Sequence, residues 1–199
     1  DPSGSPGPSK LMHGALSNGY FGFVSAGEFI TGDALASMIG LSAGTSQFSS
    51  EGWFKYAYQE KICFAAKKTF RYGISWNQID AVGAVFGTKT VNIGGLTFKV
   101  RLMTGGNGDP ASSAGGEWNQ IMYGLHESQE PNWGAYTDAD LHTDSDFGDG
   151  SRSWCQETDA DNSAYRVYRG DSGVALFSAN LASFTNSNYG WRPVLELVE

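Results

Sequence analysis

The chain has 199 residues, enough for one domain with a sizeable core, and 40% of them are hydrophobic and 14% aromatic. The formal net charge of −8 argues against a nucleic-acid partner, because nothing supplies the basic surface that phosphate binding needs. No apolar run reaches the roughly 18 residues of a membrane span, so we expect no membrane insertion. Cys63 and Cys155 are too few for a disulfide scaffold, and both one bridge and two free thiols fit the sequence.

The first ten residues, DPSGSPGPSK, contain three of the six prolines of the chain. This composition is typical of a semi-rigid linker, so residues 1–10 are predicted to be a spacer. Because the sequence does not begin with Met, we expect the C-terminal domain of a longer chain or a processed product. The residues after the spacer, 11–24, alternate weakly and predict a first strand with a glycine break.

Two segments predict hairpins. GWFKYAYQEKICFAAKK, residues 52–68, reads as two aromatic-rich strands that turn at residues 59–60. KTVNIGGLTFKVRLM, residues 89–103, reads as a second hairpin, in which two glycines at 94–95 supply the positive φ angles of a two-residue turn. Apolar and polar residues alternate after that turn, which indicates a strand with one buried face.

Three segments predict helices. TGDALASMIGL, residues 31–41, is a short helix that Asp33 can cap. ISWNQIDAVG, residues 74–83, begins with a capping box in which Ser75 and Gln78 satisfy each other's backbone N–H groups. GGEWNQIMYGL, residues 115–125, carries a single apolar stripe that is typical of a core helix.

The stretch from 126 to 162 has little periodicity but many acids and several aromatics. A stretch of this length without elements of its own is usually functional or disordered, and the aromatics favour function. Strands are predicted near 165 and 174, followed by a polar loop, SANLASFTNSN, over 178–188. Pro193 predicts an edge position or the start of the last strand, because proline has no N–H to donate.

Aromatic rings and amides in these polar loops are the candidate ligand-binding residues. Rings stack on a sugar or an apolar anchor while amides supply adaptable hydrogen bonds, although the same rings can simply pin loops to the core. We expect contacts from loops 126–150 and 178–189. The candidates are Trp133, Tyr136, Asn180, Phe184, Asn186, Asn188 and Tyr189.

A cation site is a second candidate in the acidic loop DSDFGDGS. Asp144, Asp146 and Asp149 have a carboxylate spacing that suits a hard cation, so structural Ca²⁺ is a candidate cofactor and no other is indicated. The loop lacks the twelfth-position glutamate of the calcium-loop pattern, and a solvated acidic loop is the alternative. EPNW, residues 130–133, contains the Glu-Pro-Asn of calcium-dependent lectins, but the partner Trp-Asn-Asp strand is missing.

The tripeptide Arg169-Gly170-Asp171 matches the sequence by which integrins hold extracellular proteins. Three residues match by chance too often to carry a function alone, and an adhesive tripeptide should lie at a loop tip. Here it follows Tyr165 and Val167 in a stretch of strand chemistry, so we do not expect an adhesion motif.

Five motifs in order give the chain a resemblance to the formylglycine-generating-enzyme-like branch of the C-type lectin fold. They cover about two-thirds of the chain, from 70 to 199, and comprise Ser75-Trp76, Arg101-Leu102 with Thr104, Glu117-Trp118, Arg166-Val167 with Arg169-Gly170 and Ser172, and Gly190-Trp191-Arg192. The resemblance implies an α+β, C-type lectin-like fold with two helices, short antiparallel sheets and long loops. It divides the chain into a strand and hairpin portion, 11–70, packed on a lectin-like domain, 71–199.

The chain is also similar to C-terminal domains of tailed-phage virion proteins, through GYFG…EFITGDALA, FAAKKTFRYGISW, KVRLMTGG…GEWNQIMY, SWCQET and GWRPVLEL. This resemblance implies a non-enzymatic module of a tail fibre or a head fibre or decoration, displayed at the virion surface. Its partners would be a host-surface glycan or protein and, through the linker, other virion proteins, and it could form a homo-oligomer.

Two alternatives to this function stay open. One is a purely structural decoration or fibre-tip module without a ligand. The other is an active oxidase of the formylglycine-generating type, which holds its redox cysteines between the R-G-G and G-F-R motifs. Residues 173–192 contain no cysteine, so the thiolate that this chemistry needs is missing and no catalytic residue is assigned.

Overall fold

A computed structural model describes residues 1–106 and 116–199 and shows an α+β domain with two sheets. The strands are β1 His13–Ala15, β2 Asn18–Val24, β3 Thr45–Ser46, β4 Trp53–Tyr58, β5 Lys61–Ala66, β6 Arg71–Tyr72, β7 Phe86–Ile93, β8 Leu96–Arg101, β9 Arg152–Thr158, β10 Tyr165–Arg169, β11 Phe177–Leu181, β12 Tyr189–Trp191 and β13 Val194–Leu197. The helices are α1 Gly32–Ile39, α2 Trp76–Ala81, α3 Gly116–Leu125 and α4 Asp138–Leu141, with a 3-10 turn at Ser145–Phe147. The expected α+β class is confirmed.

The chain passes between the two sheets several times, for the last time between β12 and β13. The first sheet has the order β1-β2-β4-β5-β13-β8-β7 and is antiparallel throughout. The second has the order β11-β10-β9-β12-β6-β3, and its strands β12 and β9 run parallel. Strands β12 and β13 belong to different sheets and are separated only by Arg192 and Pro193. Pro193 therefore immediately precedes β13, as one predicted alternative had it, whereas the alternative of an edge position is wrong because β13 pairs with both β5 and β8.

The seven-stranded sheet is covered on both faces. Neighbouring residues of β4 alternate between two hydrophobic clusters, with Trp53 and Ala57 in one, and Phe54 and Tyr56 in the other. Helix α3 contributes Trp118 to the second cluster. Coverage of both faces explains why β4 is nearly continuous in apolar residues instead of alternating with polar ones.

Several local predictions are confirmed. Both residues of the 59–60 turn have positive φ, 51° and 64°, and the glycines at 94–95 have φ of 60° and 86°. Ser75 and Gln78 form the predicted capping box at the start of α2. The cap of α1 was predicted wrongly, because Thr31 accepts the N–H of Ala34 while Asp33 lies inside the first turn.

Other predictions need correction. The C-type lectin-like expectation had two helices, whereas the described residues form four, of which α4 is a single turn. The stretch 126–162, predicted without elements, contains α4 and the whole of β9. The strand expected near 174 begins at Phe177 and takes up the start of the predicted polar loop. These elements are short and weakly periodic, so the sequence pattern did not indicate where they begin and end.

The segment 1–10 was predicted to be a spacer, but in the structure it contacts the domain. The carboxylate of Asp1 is 2% exposed and lies 2.7 Å from the buried Nζ of Lys55 in β4. Gly7 approaches Val24 so closely that a Cβ would contact its side chain at 2.3 Å. A buried ammonium needs a counter-charge, and Asp1 provides one here.

Candidate functional site

The residues of the five motifs form a buried frame. The indole of Trp118 is fully buried, and its N–H donates to the Val174 carbonyl at 2.9 Å. The guanidinium groups of Arg169 and Arg192 lie 5.8 and 5.6 Å from the Trp118 ring. Cation–π contacts of this kind strengthen when water is excluded. These motif residues therefore hold helix α3 against the two sheets.

A second part of the frame is a buried ion pair between β8 and α3. Arg101 donates to both carboxylate oxygens of Glu117 at 2.7 and 2.8 Å, and its Nε donates to Glu196 at 2.8 Å. The Tyr56 hydroxyl also donates to Glu117, at 2.6 Å. This bidentate, fully hydrogen-bonded arrangement is what makes a buried charge tolerable.

The Arg-Gly-Asp tripeptide is part of the same frame. Arg169 is 0% exposed, and its guanidinium donates to the carbonyls of Gly105, Ala175 and Leu176. An integrin would need to reach this side chain, so the tripeptide is not displayed as an adhesion motif. Asp171 has a φ of 123° and bonds to Arg152 at 3.1 Å.

Both cysteines are free and buried. Burial raises the pKa of the Cys63 thiol, and it raises that of Cys155 well above the ordinary value. The thiols are therefore protonated at neutral pH, and a protonated thiol is a poor nucleophile and metal ligand.

Two of the predicted binding aromatics, Trp133 and Tyr136, pack against the domain. Trp133 is stacked on His13 with ring centres 6.1 Å apart, and Tyr136 lies 4.9 Å from the ring of Phe54. Both rings are half-buried and belong to the cluster that contains α3. Phe184 and Tyr189 belong to the other cluster, so the structure does not combine the two predicted loops into one hydrophobic surface.

The structure places the three aspartates of the acidic loop in different surroundings, and the predicted Ca²⁺ site stays a prediction. Asp144 caps the 3-10 turn by accepting the N–H of Asp146, and Asp146 and Asp149 are exposed. Within residues 1–106 and 116–199, no three His, Cys, Asp or Glu side chains form a group that could hold a metal ion. The exposed EPN segment at 130–132 lies outside any such group as well.

A cluster of side chains around Tyr189 is the best candidate site, and we call it the Tyr189 cluster. The Tyr189 hydroxyl accepts a hydrogen bond from Asn180 Nδ2 at 2.7 Å and another from Arg152 at 3.0 Å. Phe184 packs edge-on against the Tyr189 ring, with centres 5.3 Å apart. The cluster consists of Arg152, Asp171, Asn180, Phe184 and Tyr189.

Tyr189 itself supports this cluster from beneath. It was predicted to contact a ligand, but its side chain is 0% exposed and is stacked on Trp154 at 4.7 Å. The accessible members are the side chains of Arg152 and Asp171, 23% and 20% exposed, with the half-buried Asn180 and Phe184. Strand pairing explains the arrangement, because Tyr189 of β12 lies beside Arg152 of β9.

Two predicted amides belong to the adjoining turn. The Asn186 side chain accepts the backbone N–H of Asn188 at 2.9 Å, which shapes the turn before β12. Sequence reasoning missed Arg152 and Asp171. Arg152 follows an acidic loop without periodicity, and Asp171 was assigned only to the tripeptide. In the sequence, Asp171 stands out only because it occupies the position of the second glycine in the R-G-G motif of the family that the chain resembles.

Comparison of the chain with protein-family models, curated proteins and solved structures gave no match. In the described parts of the chain, no helix is long and apolar enough to cross a membrane.

Proposed function

We propose that this chain is a non-enzymatic, C-type lectin-like domain of a phage tail fibre or head fibre or decoration. It binds a host-surface ligand through the Tyr189 cluster. The observation that carries the binding function is the single buried hydroxyl of Tyr189, which holds Arg152 and Asn180 in place beside Phe184. The virion location and the lectin-like fold rest on the sequence resemblance alone.

The cluster has the properties of a preorganised recognition surface. Arg152 contacts Tyr189 and Asp171, and its guanidinium lies 5.2 Å from the rings of both Tyr168 and Tyr189. A planar side chain that is already fixed loses little conformational freedom when it binds, which favours affinity. The rings of Tyr189 and Trp154, which are stacked beneath the cluster, hold its polar side chains in position.

The protonated, buried thiols support a function without catalysis. Neither Cys63 nor Cys155 is exposed, and the pKa of each is raised by burial. A nucleophilic or copper-binding thiol needs the opposite environment, one that stabilises the thiolate. An oxidase function would require at least one of these sulfurs to be reachable.

Binding of the fluorescently labelled protein to a panel of intact bacterial strains tests this function. A variant with Asn180→Ala and Phe184→Ala removes accessible members of the cluster and leaves the buried Tyr189 in place. A matched variant with Ser183→Ala, an exposed residue beside Phe184, serves as the control. We expect wild type and control to bind some strains, and the double variant to bind them at least about tenfold more weakly.

Failure of the folded wild-type protein to bind any strain would contradict receptor binding. It would favour the second candidate, a structural decoration or fibre-tip module. Equal binding by the double variant would show that another surface contacts the cell.

A further inference from the structure

We infer that the ligand of the Tyr189 cluster is an uncharged sugar, held through two adjacent hydroxyls by Asp171 and Arg152, without a metal ion. This inference rests on the proposed function and specifies the chemistry of the same site. It follows from three properties of the cluster: its charge balance, its remaining hydrogen-bonding capacity and its one partly exposed ring.

The charges of the cluster favour a neutral ligand. Arg152 and Asp171 form an ion pair at 3.1 Å, so the cluster has no net charge of its own. An acidic sugar that bound Arg152 would place its own carboxylate beside that of Asp171, at the same guanidinium. Like charges at such short range disfavour binding.

The ion pair keeps hydrogen-bonding groups for a sugar. Asp171 accepts one N–H from Arg152 through Oδ2, whereas a carboxylate offers about four acceptor positions. Arg152 donates one N–H from Nη1 to Tyr189 and one from Nη2 to Asp171, and each of these two nitrogens carries a second N–H. A hydroxyl both donates and accepts. One hydroxyl can therefore donate to Asp171 while its neighbour accepts from Arg152.

Phe184 provides an apolar surface against Tyr189, the residue to which Arg152 also donates. Its ring packs on Tyr189 and remains half-buried, and Asn180 lies on the same tyrosine. The C–H face of a pyranose is apolar and packs well on an aromatic ring, while its hydroxyls point outward to polar groups. A ring beside a donor and acceptor pair is therefore suited to a sugar.

Metal independence follows from the position of the guanidinium. Arg152 already supplies a positive charge to the Asp171 carboxylate at 3.1 Å. A calcium ion at the same carboxylate would be repelled by that guanidinium, which stays charged throughout the neutral range. This arrangement differs from the calcium-mediated binding that the EPN segment suggested.

The decisive variant is Asp171→Gly. Asp171 has a φ of 123°, a conformation that glycine adopts without strain, so the substitution removes the carboxylate while fitting the backbone. Asp161→Asn removes one negative charge from an exposed residue outside the cluster and serves as the matched control. Asp171→Asn is a second variant that keeps the size of the side chain.

Saturation-transfer NMR with methyl glycosides of glucose, galactose and mannose is the measurement, beside glucuronic acid and N-acetylneuraminic acid. We expect the folded wild type and Asp161→Asn to bind at least one neutral glycoside, with EDTA changing nothing. We expect both Asp171 variants to bind it at least about tenfold more weakly, because a hydrogen bond to a charged group is lost.

Four results would overturn the inference: binding of only the acidic sugars, loss of binding in EDTA, full binding by the Asp171 variants, or no binding of any sugar. Its failure is distinguishable from failure of the proposed function. If bacteria are bound through the cluster and no neutral sugar is bound, only the ligand class is wrong. If the Asn180 and Phe184 double variant binds bacteria normally, the site itself is wrong.

Discussion

The guanidinium of Arg192 lies 5.6 Å from the ring of Trp118, between strand β12 of one sheet and strand β13 of the other. Arg192 is 1% exposed and donates to Ser153 and to four backbone carbonyls, those of Ala66, Lys67, Leu141 and His142. One side chain therefore connects both sheets, helix α3 and helix α4.

Replacing Arg192 with Leu should lower the free energy of unfolding by about 3–5 kcal/mol, because buried carbonyl oxygens lose their donors. Urea denaturation measures this change. Arg166→Leu is the matched control, since Arg166 also lies over an indole, at 4.5 Å from Trp76, but is half-exposed. It should cost about 1 kcal/mol or less. Equal losses in the two variants would contradict the role assigned to Arg192.

His142 should make the protein less stable in acid. Burial and the nearby Arg192 lower the pKa of His142 from 6.5 to about 4. Between these values the unfolded chain binds a proton that the folded protein excludes, so stability falls as pH drops from about 6.5 to about 4. The slope for one such proton is at most about 1.4 kcal/mol per pH unit. Asn tolerates the positive φ of this position, 55°, so His142→Asn should remove that contribution.

Urea denaturation at several pH values measures this effect as the difference between wild type and His142→Asn. Parallel stability curves for the two proteins between pH 4 and 6.5 would show that His142 titrates normally in the folded state.

Glu157 should act in the opposite direction. Burial raises the pKa of its carboxyl from 4.5 to about 7, although the N–H of Gly105 donates to it and opposes the shift. The folded protein then retains a proton that the unfolded chain releases, so this contribution to stability decreases as pH rises from about 4.5 to about 7. Glu157→Gln, which cannot ionise, should be less sensitive to pH over that range. NMR titration of the Glu157 carboxyl carbon provides the direct check, and a midpoint near 4.5 would contradict it.

The turn of the first hairpin should tolerate, and benefit from, better turn residues. Gln59 and Glu60 both have positive φ, which asparagine and glycine adopt more readily. Replacing them with Asn and Gly should raise the free energy of unfolding by about 1 kcal/mol.

The second hairpin supplies a control of opposite sign. Gly95 has a φ of 86°, and a Cβ there would meet no atom within 4 Å, so Gly95→Ala tests backbone strain alone. It should lower stability by about 1 kcal/mol. Thermal unfolding of both variants measures the two changes in stability. Changes of the same sign would refute the assignment of these turns.

Local signals account for the parts of the fold that could be predicted from the sequence. The capping box at Ser75 and the turn at 94–95 depend on residues only a few positions apart, and the structure shows both. The Tyr189 cluster depends on the pairing of Tyr189 with Arg152, two residues far apart in the chain. No pattern within β9 indicated that partner, so the sequence named Tyr189 as a contact residue and could not show that it is buried.

The position of β13 has a consequence for the order in which the molecule can be completed during synthesis. Residues 194–197 pair with β5 on one side and β8 on the other, in the middle of the seven-stranded sheet. Until the ribosome has released these residues, the sheet exists only as two separate parts, β1-β2-β4-β5 and β7-β8, each with an unpaired inner edge. Unpaired edges are sites of aggregation, so a nascent chain that stalls before residue 194 exposes two edges that the complete chain protects.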